Sequence, residues 1–252
     1  HTRFKCDWSS DVCSSDLPQH LYLVPTDGSA APRNLTPGEF EHDDPTWSPD
    51  SRSVIVTAKR HETWDRDLAA DLYRVSLGGD VTRLTSGTGY YFMPAADGDH
   101  IAFLGSEDPE VYPQNVKVGI VPSAGGTATW VSTALDRTFE TTAGTARPVW
   151  VDGSLHATAE DRGTTHVYRV HPDGAAPVRL TDGRITVKGF DTRGGTTAYV
   201  ASSVDSLSDV FVLDTAAPGG ARRLTDFAER YREVASPQGW EHFTAPCADG
   251  TG

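Results

Sequence analysis

The sequence predicts an all-β fold, an incomplete β-propeller of four-stranded blades, and three observations carry that prediction. One unit recurs five times: a short apolar strand, a Gly-containing turn, and a second strand ending in Arg-Leu-Thr or a close variant. Aligned on Leu35, Leu84, Val131, Leu180 and Leu224, the copies lie 44 to 49 residues apart, which is the spacing of propeller blades. Within a copy, apolar and polar residues alternate, as Leu72, Arg74 and Ser76 do against Tyr73, Val75 and Leu77. That is the period of a strand with two distinct faces. No segment carries convincing helical periodicity.

The first seventeen residues match nothing that follows. Written back into codons, residues 7–17 resemble a common short-read sequencing adapter translated in one frame, with His1-Thr2-Arg3 continuing it and Phe4-Lys5-Cys6 lying across its barcode. The stretch has no apolar core and no small-residue cleavage site, so no secretory signal is visible. Residues 1–17 are therefore expected to be non-native, and the propeller is expected over 18–239.

The repeat copies span residues 21–36, 71–85, 117–132, 166–181 and 209–225, the third being the most degraded. Asp-Gly and Gly-Gly pairs supply the positive φ that their hairpin turns require. Further strands are expected at Ser53–Ala58, 100–104 and 197–201, with inner strands at 148–151 and 186–190. The result is about four full blades with partial ends. Such an open ring exposes strand edges and blade faces, so oligomers or aggregates are expected.

Trp47-Ser48-Pro49-Asp50 resembles the W-S-P-D-G turn of WD-like blades in TolB-like proteins and prolyl oligopeptidase-type enzymes, with Ser51 in place of the usual Gly. Pro49 and Asp50 set a tight turn, and Trp47 is expected to pack between blades. Lys59-Arg60-His61-Glu62, the acidic residues Asp65 and Asp67, and Asp71-Leu72-Tyr73 look like acylaminoacyl-peptidase and dipeptidyl-aminopeptidase members of the prolyl oligopeptidase family (S9). The order of motifs at the end, from 209–214 through 220–227 to Trp240-Glu241-His242-Phe243-Thr244 and Asp249-Gly250-Thr251, is similar to the exit from that family's propeller.

The resemblance implies that residues 240–252 begin an α/β-hydrolase domain in cis, which would bring a nucleophilic Ser, then Asp, then His. No G-x-S-x-G occurs in this sequence, so the chain is expected to be inactive alone. The propeller of such a serine peptidase caps the active site and admits only short peptides. A rival reading is a TolB-like propeller that binds protein partners without enzymatic activity; the Asp-Gly-Thr ending favours the peptidase.

Charge and composition narrow the partners. The formal net charge is −13; without residues 1–17, Lys+Arg falls from 22 to 20 and Asp+Glu from 35 to 32, leaving −12. An acidic surface with no basic stripe argues against nucleic acid. No apolar run approaches the roughly 20 residues that span a bilayer, so no membrane partner is expected. Cys6 and Cys13 fall in the set-aside segment, leaving Cys247 alone, without a disulfide framework. That suits the cytoplasm. Arginine outnumbers lysine, as in a high-GC bacterial genome.

The candidate substrate-binding residues are Glu140, Arg147 and Glu62. Glu140 and Arg147, with Arg137, flank Thr141-Thr142-Ala143-Gly144, a loop expected to precede an inner strand at the tunnel mouth. Glu62 lies with His61, Asp65 and Asp67 in a loop between strands. Glu39, Glu41, His42, Asp43 and Asp44 read as a solvated acidic loop between blades. His156, His166 and His171 are scattered along strands. No metal or cofactor is expected, because no spacing matches a metal-loop signature.

Overall fold

The computed structural model describes residues 18–239, 241, 243–245, 247 and 248. The segment 1–17 lies outside them, as do Trp240, His242 and 249–252 of the expected hydrolase start. Blade 1 is present as β1 (Tyr22–Leu23) and β2 (Arg33–Asn34), an antiparallel pair. Blade 2 holds β3 (His42–Trp47), β4 (Ser53–Ala58), β5 (Asp71–Ser76) and β6 (Val81–Arg83), bonded in that order. A short β7 (Thr85–Ser86) follows.

Blade 3 is built from β8 (Tyr90–Asp97), β9 (His100–Ser106) and β10 (Lys117–Pro122). Beyond them come β11 (Gly126–Thr127), which pairs in parallel with β7, and β12 (Thr129–Trp130), which closes the blade. Blade 4 contains β13 (Val149–Val151), β14 (Ser154–Asp161), β15 (Thr164–Val170) and β16 (Val178–Arg179). Blade 5 contains β17 (Thr186–Arg193), β18 (Thr196–Ser203), β19 (Ser206–Asp214) and β20 (Arg222–Arg223). Four complete blades and one partial blade therefore stand where the repeat placed them.

The Arg-Leu-Thr signature has a local geometry that explains its recurrence. In every copy the backbone N–H of the central apolar residue donates to the carbonyl of the third strand: Leu35 to Leu21, Leu84 to Leu72, Val131 to Val118, Leu180 to Val167 and Leu224 to Val210, all at 2.7–2.9 Å. The hydroxyl that follows accepts the N–H of that same third-strand residue. Thr36, Thr85, Ser132, Thr181 and Thr225 do this at 2.9–3.2 Å. A serine replaces threonine in blade 3 because only the hydroxyl is needed.

The arginine completes the unit where an aspartate opens the third strand. Asp71 accepts from Arg83 at 2.8 Å and from Thr85 at 2.6 Å, and Asp209 accepts from Arg223, from Thr225 at 3.0 Å and from the Phe227 N–H at 2.7 Å. Blade 4 puts His166 in the aspartate's place, its Nδ1 3.0 Å from the Thr181 hydroxyl. Blade 3 puts Lys117 there, with its ammonium 6.0 Å from the Trp130 ring centroid.

Four apolar clusters fill the seams between consecutive blades. Leu35 packs on Val54, Val56 and Val75 of blade 2; Ile55, Leu72 and Leu84 pack on Tyr91, Ile101 and Phe103 of blade 3. Val167 and Leu180 pack on Val187, Tyr199 and Leu213 of blade 5. The largest cluster joins blades 3 and 4, with Leu104, Val118, Val131 and the linker residue Phe139 against Leu155, Ala157 and Tyr168. Full burial of one such side chain contributes roughly 1.5–3 kcal/mol. A polar tie recurs at three seams: a guanidinium reaches the carbonyl at the start of the next blade's outer hairpin. The pairs are Arg33 to Leu77 at 2.5 Å, Arg74 to Ser123 at 2.6 Å and Arg169 to Thr215 at 2.6 Å. Between blades 3 and 4 the position of Arg74 and Arg169 is Ile120, and the polar tie is instead the Trp150 indole N–H donating to the Ala95 carbonyl at 2.9 Å.

One short helix is present, α1 (Glu229–Val234), which buries none of its residues and lacks a side-chain cap; without an apolar face it carries no periodic signal. Two expectations need correction. Trp47 does not pack between blades. It is 51% exposed at the end of β3, beside a first blade that, among the described residues, offers only β1 and β2. His42, Asp43 and Asp44 are strand, with His42 opposite Ala58 and Asp43 opposite Thr57. The W-S-P-D turn itself forms: Ser48 bonds Asp50 at 2.7 Å, and Ser51 adopts φ +57°, the conformation that explains glycine at this position in related turns.

Candidate functional site

The starts of the inner strands and the loops between each blade's second and third strands share one face. Several polar groups named in the sequence converge there. A cleft of about 630 Å³ is lined by Tyr112, Gln114, Asn115, Thr138, Glu140, Thr141, Thr142, Thr145 and Glu160. A second hollow of about 210 Å³ shares Tyr112, Gln114 and Glu140 and adds Leu68, Tyr90 and Val111. A third, of about 290 Å³, shares Tyr90 and is bordered by Glu41, Asp43 and Asp44.

The loop carrying Glu140 is a fixed ledge. Phe139 is buried in the seam between blades 3 and 4, and its N–H donates to the Val116 carbonyl at 2.9 Å. Arg137 bonds Asp161 at 2.6 Å, and that contact holds the Asp161 carboxyl below its ordinary range. Glu160 accepts both the Thr142 N–H at 2.6 Å and the Thr142 hydroxyl at 2.8 Å. Gly144 has φ +133°, and a Cβ there would lie 2.9 Å from the Lys188 carbonyl on β17. Glycine is thus required where the ledge rests on blade 5. With both ends held, Glu140 projects exposed between the first and second hollows.

The electrostatics of the face are acidic. Burial raises the Asp43 carboxyl above its ordinary value, and Glu41 and Asp44 push the same way. Burial also raises the Tyr90 hydroxyl, reinforced by Glu140, Asp44 and Asp43. Tyr90 stacks on Phe92 with centroids 4.8 Å apart, forming an aromatic wall under these carboxylates. Chemically, such a face accepts hydrogen bonds and favours cationic or N–H-bearing ligands over anions.

The structure separates the three sequence candidates. Glu140 lines the cleft. Arg147 turns away to tie inner strands together, its Nη2 donating to the Asp44 carbonyl at 3.0 Å and the Pro45 carbonyl at 3.1 Å. Burial lowers the affinity of its guanidinium for a proton, and Asp44 opposes that. Glu62 is exposed on the β4–β5 loop and lines none of the three hollows; its neighbour Asp67 is held by His61 at 2.9 Å and Thr63 at 2.5 Å. Tyr112, Gln114 and Glu160 escaped sequence reasoning. The signal for Glu160 was its place at the outer end of β14, one residue before the partner of Arg137. Among the described residues no group of His, Cys, Asp and Glu is arranged to hold a metal ion.

Blades of this kind, with a ledge that lips an acidic cleft, define the chain as a β-propeller. The chain belongs to the family described as acylaminoacyl-peptidase, N-terminal β-propeller domain, which matches residues 18–206. No curated protein matches it. Among solved structures it is similar to the acylaminoacyl peptidase of Pyrococcus horikoshii, with a TM-score of 0.65 and 15% identity, covering 84% of this chain and 32% of that one. It is similar also to a puromycin-hydrolyzing peptidase of Mycobacterium tuberculosis, at a TM-score of 0.61 and 18% identity, covering 78% of this chain and 34% of the other. TolB from Acinetobacter baumannii follows the same fold at a TM-score of 0.56 and 18% identity, covering 82% and 49% respectively. The chain thus spans about a third of the length of the two peptidases. None of the described residues forms a helix long and apolar enough to cross a membrane.

Proposed function

We propose that this chain is the non-catalytic, substrate-gating propeller of a cytoplasmic prolyl oligopeptidase-family serine peptidase. In this reading the ledge face meets an α/β-hydrolase domain carried in the same polypeptide, and short peptides reach the nucleophile past Glu140. The observation that carries the reading is the ledge: three separate anchors hold one exposed carboxylate at the junction of two hollows, an investment of structure that a solvated loop does not need. The family match over 18–206 supports the same assignment.

The direct experiment is to read the source locus downstream of the codon for Gly252. A G-x-S-x-G elbow followed by Asp and His is expected; further Arg-Leu-Thr repeats with no elbow would promote a partner-binding propeller instead. The purified chain should leave aminoacyl and dipeptidyl anilides intact, and hydrolysis surviving host-enzyme controls would refute the non-catalytic role. In the two-domain enzyme, Glu140→Gln should raise KM for peptides about threefold or more while kcat holds, the signature of lost binding rather than lost chemistry.

A further inference from the structure

The hollow of about 290 Å³ lies between blades 2 and 3, both of which have all four strands, and it holds polar groups that the fold leaves unused. Asp43 and Thr57 stand opposite each other in the β3–β4 pair. Opposed residues of a ladder put their side chains on one face of the sheet. Which face is fixed by Ile55, two residues before Thr57, because it packs on Tyr91, Ile101 and Phe103 of blade 3. Asp43 and Thr57 therefore both look into the seam, where they line the hollow.

Neither side chain is matched there. Thr57 is 6% exposed, and its buried hydroxyl has no hydrogen-bond partner among the described residues. Burying a hydroxyl without a partner opposes folding, so a site that keeps one calls for a group that completes it. Asp43 is half-buried, and its carboxylate makes no hydrogen bond or ion pair with any described residue. Burial raises that carboxyl, and Glu41 and Asp44 push the same way without a compensating donor.

The neighbouring cations are engaged elsewhere. Lys59 borders the hollow, but its ammonium donates to the Asp67 carbonyl at 3.0 Å. Arg60 turns to the His42 ring at 2.9 Å, and Arg147 to the carbonyls of Asp44 and Pro45. Asp44 has its own task, accepting the Met93 N–H at 3.0 Å. The charge left over in the hollow belongs to Asp43 and Glu41.

The form of the hollow narrows what would satisfy them. Among the described residues no group of His, Cys, Asp and Glu is arranged to hold a metal ion, so the carboxylates do not converge on one point. An ammonium carries three donors and no acceptor, which lets one nitrogen reach a carboxylate and a hydroxyl that stand apart. The volume is at the lower limit of small-molecule sites and suits one unbranched chain rather than a ring system. Ala70 and Phe92 supply an apolar border for such a chain.

We infer that this hollow binds a primary alkylammonium, its nitrogen between Asp43 and Thr57, Glu41 adding charge, and its carbon chain lying toward Phe92. A lysine side chain of a polypeptide and a free linear diamine share that chemistry. The site is complete within blades 2 and 3, so it stands or falls independently of the peptidase reading.

Calorimetric titration of the full chain with Nα-acetyl-lysine amide and with cadaverine tests the assignment, each titration read beside the thermal midpoint, which a ligand of the native state raises. Saturable one-to-one binding is expected, and the tighter of the two amines identifies the source. Tetramethylammonium has the same charge but no N–H donor, and it should bind at least about tenfold more weakly. Asp43→Asn should weaken amine binding about tenfold or more, and Thr57→Val about threefold or more. Thr57→Val also reports without ligand: deleting a hydroxyl that nothing bonds should leave the midpoint of the free chain unchanged or higher. Absence of saturable binding by both amines, equal binding of tetramethylammonium, or undiminished affinity in either variant would each overturn the inference. A lowered midpoint in unliganded Thr57→Val would do the same, since it would show that the hydroxyl is already bonded within the fold.

Discussion

Blades 2 and 5 carry the same Asp-Arg-Thr lock and differ in almost everything around it. Asp71 with Arg83 and Thr85, and Asp209 with Arg223 and Thr225, make matching bonds from matching spacings. Yet Leu84 is 2% exposed and Leu224 46%. Local hydrogen bonding is thus written into the repeat, while burial is conferred by the neighbour. Asp209 makes the point most clearly. Burial raises its carboxyl, but donors from Ser206, Phe227, Thr225 and Arg223 outweigh that and hold it ionised below the ordinary range, with no following blade needed.

The largest expected effect comes from blade 4, where histidine stands in the aspartate's position. His166 and His156 are buried and held to about 4 from an ordinary 6.5, first by burial and then by Arg179 and Arg169 respectively. The unfolded chain therefore takes up these protons first, and stability present above pH 6.5 is lost as the pH falls toward 4. Lowering the pH from 7 to 5 should remove about 2 kcal/mol for each histidine. His166→Asp, which restores the lock of blades 2 and 5, should flatten that slope by about half. Urea titrations at both pH values measure it, and an unchanged slope would show that His166 does not titrate on unfolding.

A second break of the comparison is steric. Leu180→Ala should cost about 3 kcal/mol, since the seam closes on that side chain, whereas Leu224→Ala should cost under about 1 kcal/mol. Equal losses in urea midpoints would mean that the blade 5 face is covered in solution. The finest test swaps the lock's hydroxyl for a methyl. Thr85→Val strands the buried Leu72 N–H and should cost about 1–2 kcal/mol; Thr225→Val should cost less, because water can reach Val210 from the open side. Thermal melts of the two variants, read beside hydrogen exchange at Leu72 and Val210, resolve the difference.

The same division explains what the sequence made legible. Blade number, hairpin turns and strand Ser53–Ala58 could be read because each rests on local spacing: the hydroxyl five to eight residues past a hairpin glycine, the glycine at positive φ, the alternation along one strand. The W-S-P-D motif marked Ser51 as standing in a glycine's place, and the structure gives it a positive φ. Trp47 could not be read correctly, because whether it is covered depends on strands of another blade. The cleft was half legible. Glu140 announced itself as a carboxylate beside a Thr-Thr-Ala-Gly loop, but Tyr112 and Glu160 join it only through the packing of blade 3 on blade 4, and no sequence spacing records that proximity. Arg147 shows the converse: a cation near the expected mouth, drawn by geometry to backbone carbonyls of β3, 102 and 103 residues away.

One seam stands apart in a way that concerns temperature. Where the other junctions combine apolar packing with an arginine bonded across to the next hairpin, blades 3 and 4 meet through Ile120, the largest apolar cluster with Phe139 wedged into it from the ledge, and the Trp150 indole bonded to the Ala95 carbonyl. Attraction between apolar surfaces fades on cooling, whereas hydrogen bonds from a guanidinium to a carbonyl do not share that dependence. The joints therefore differ in how much of their attraction is apolar, and the junction of blades 3 and 4 is expected to weaken most on cooling. Because the ledge is rooted in that joint, the cleft is expected to feel that weakening.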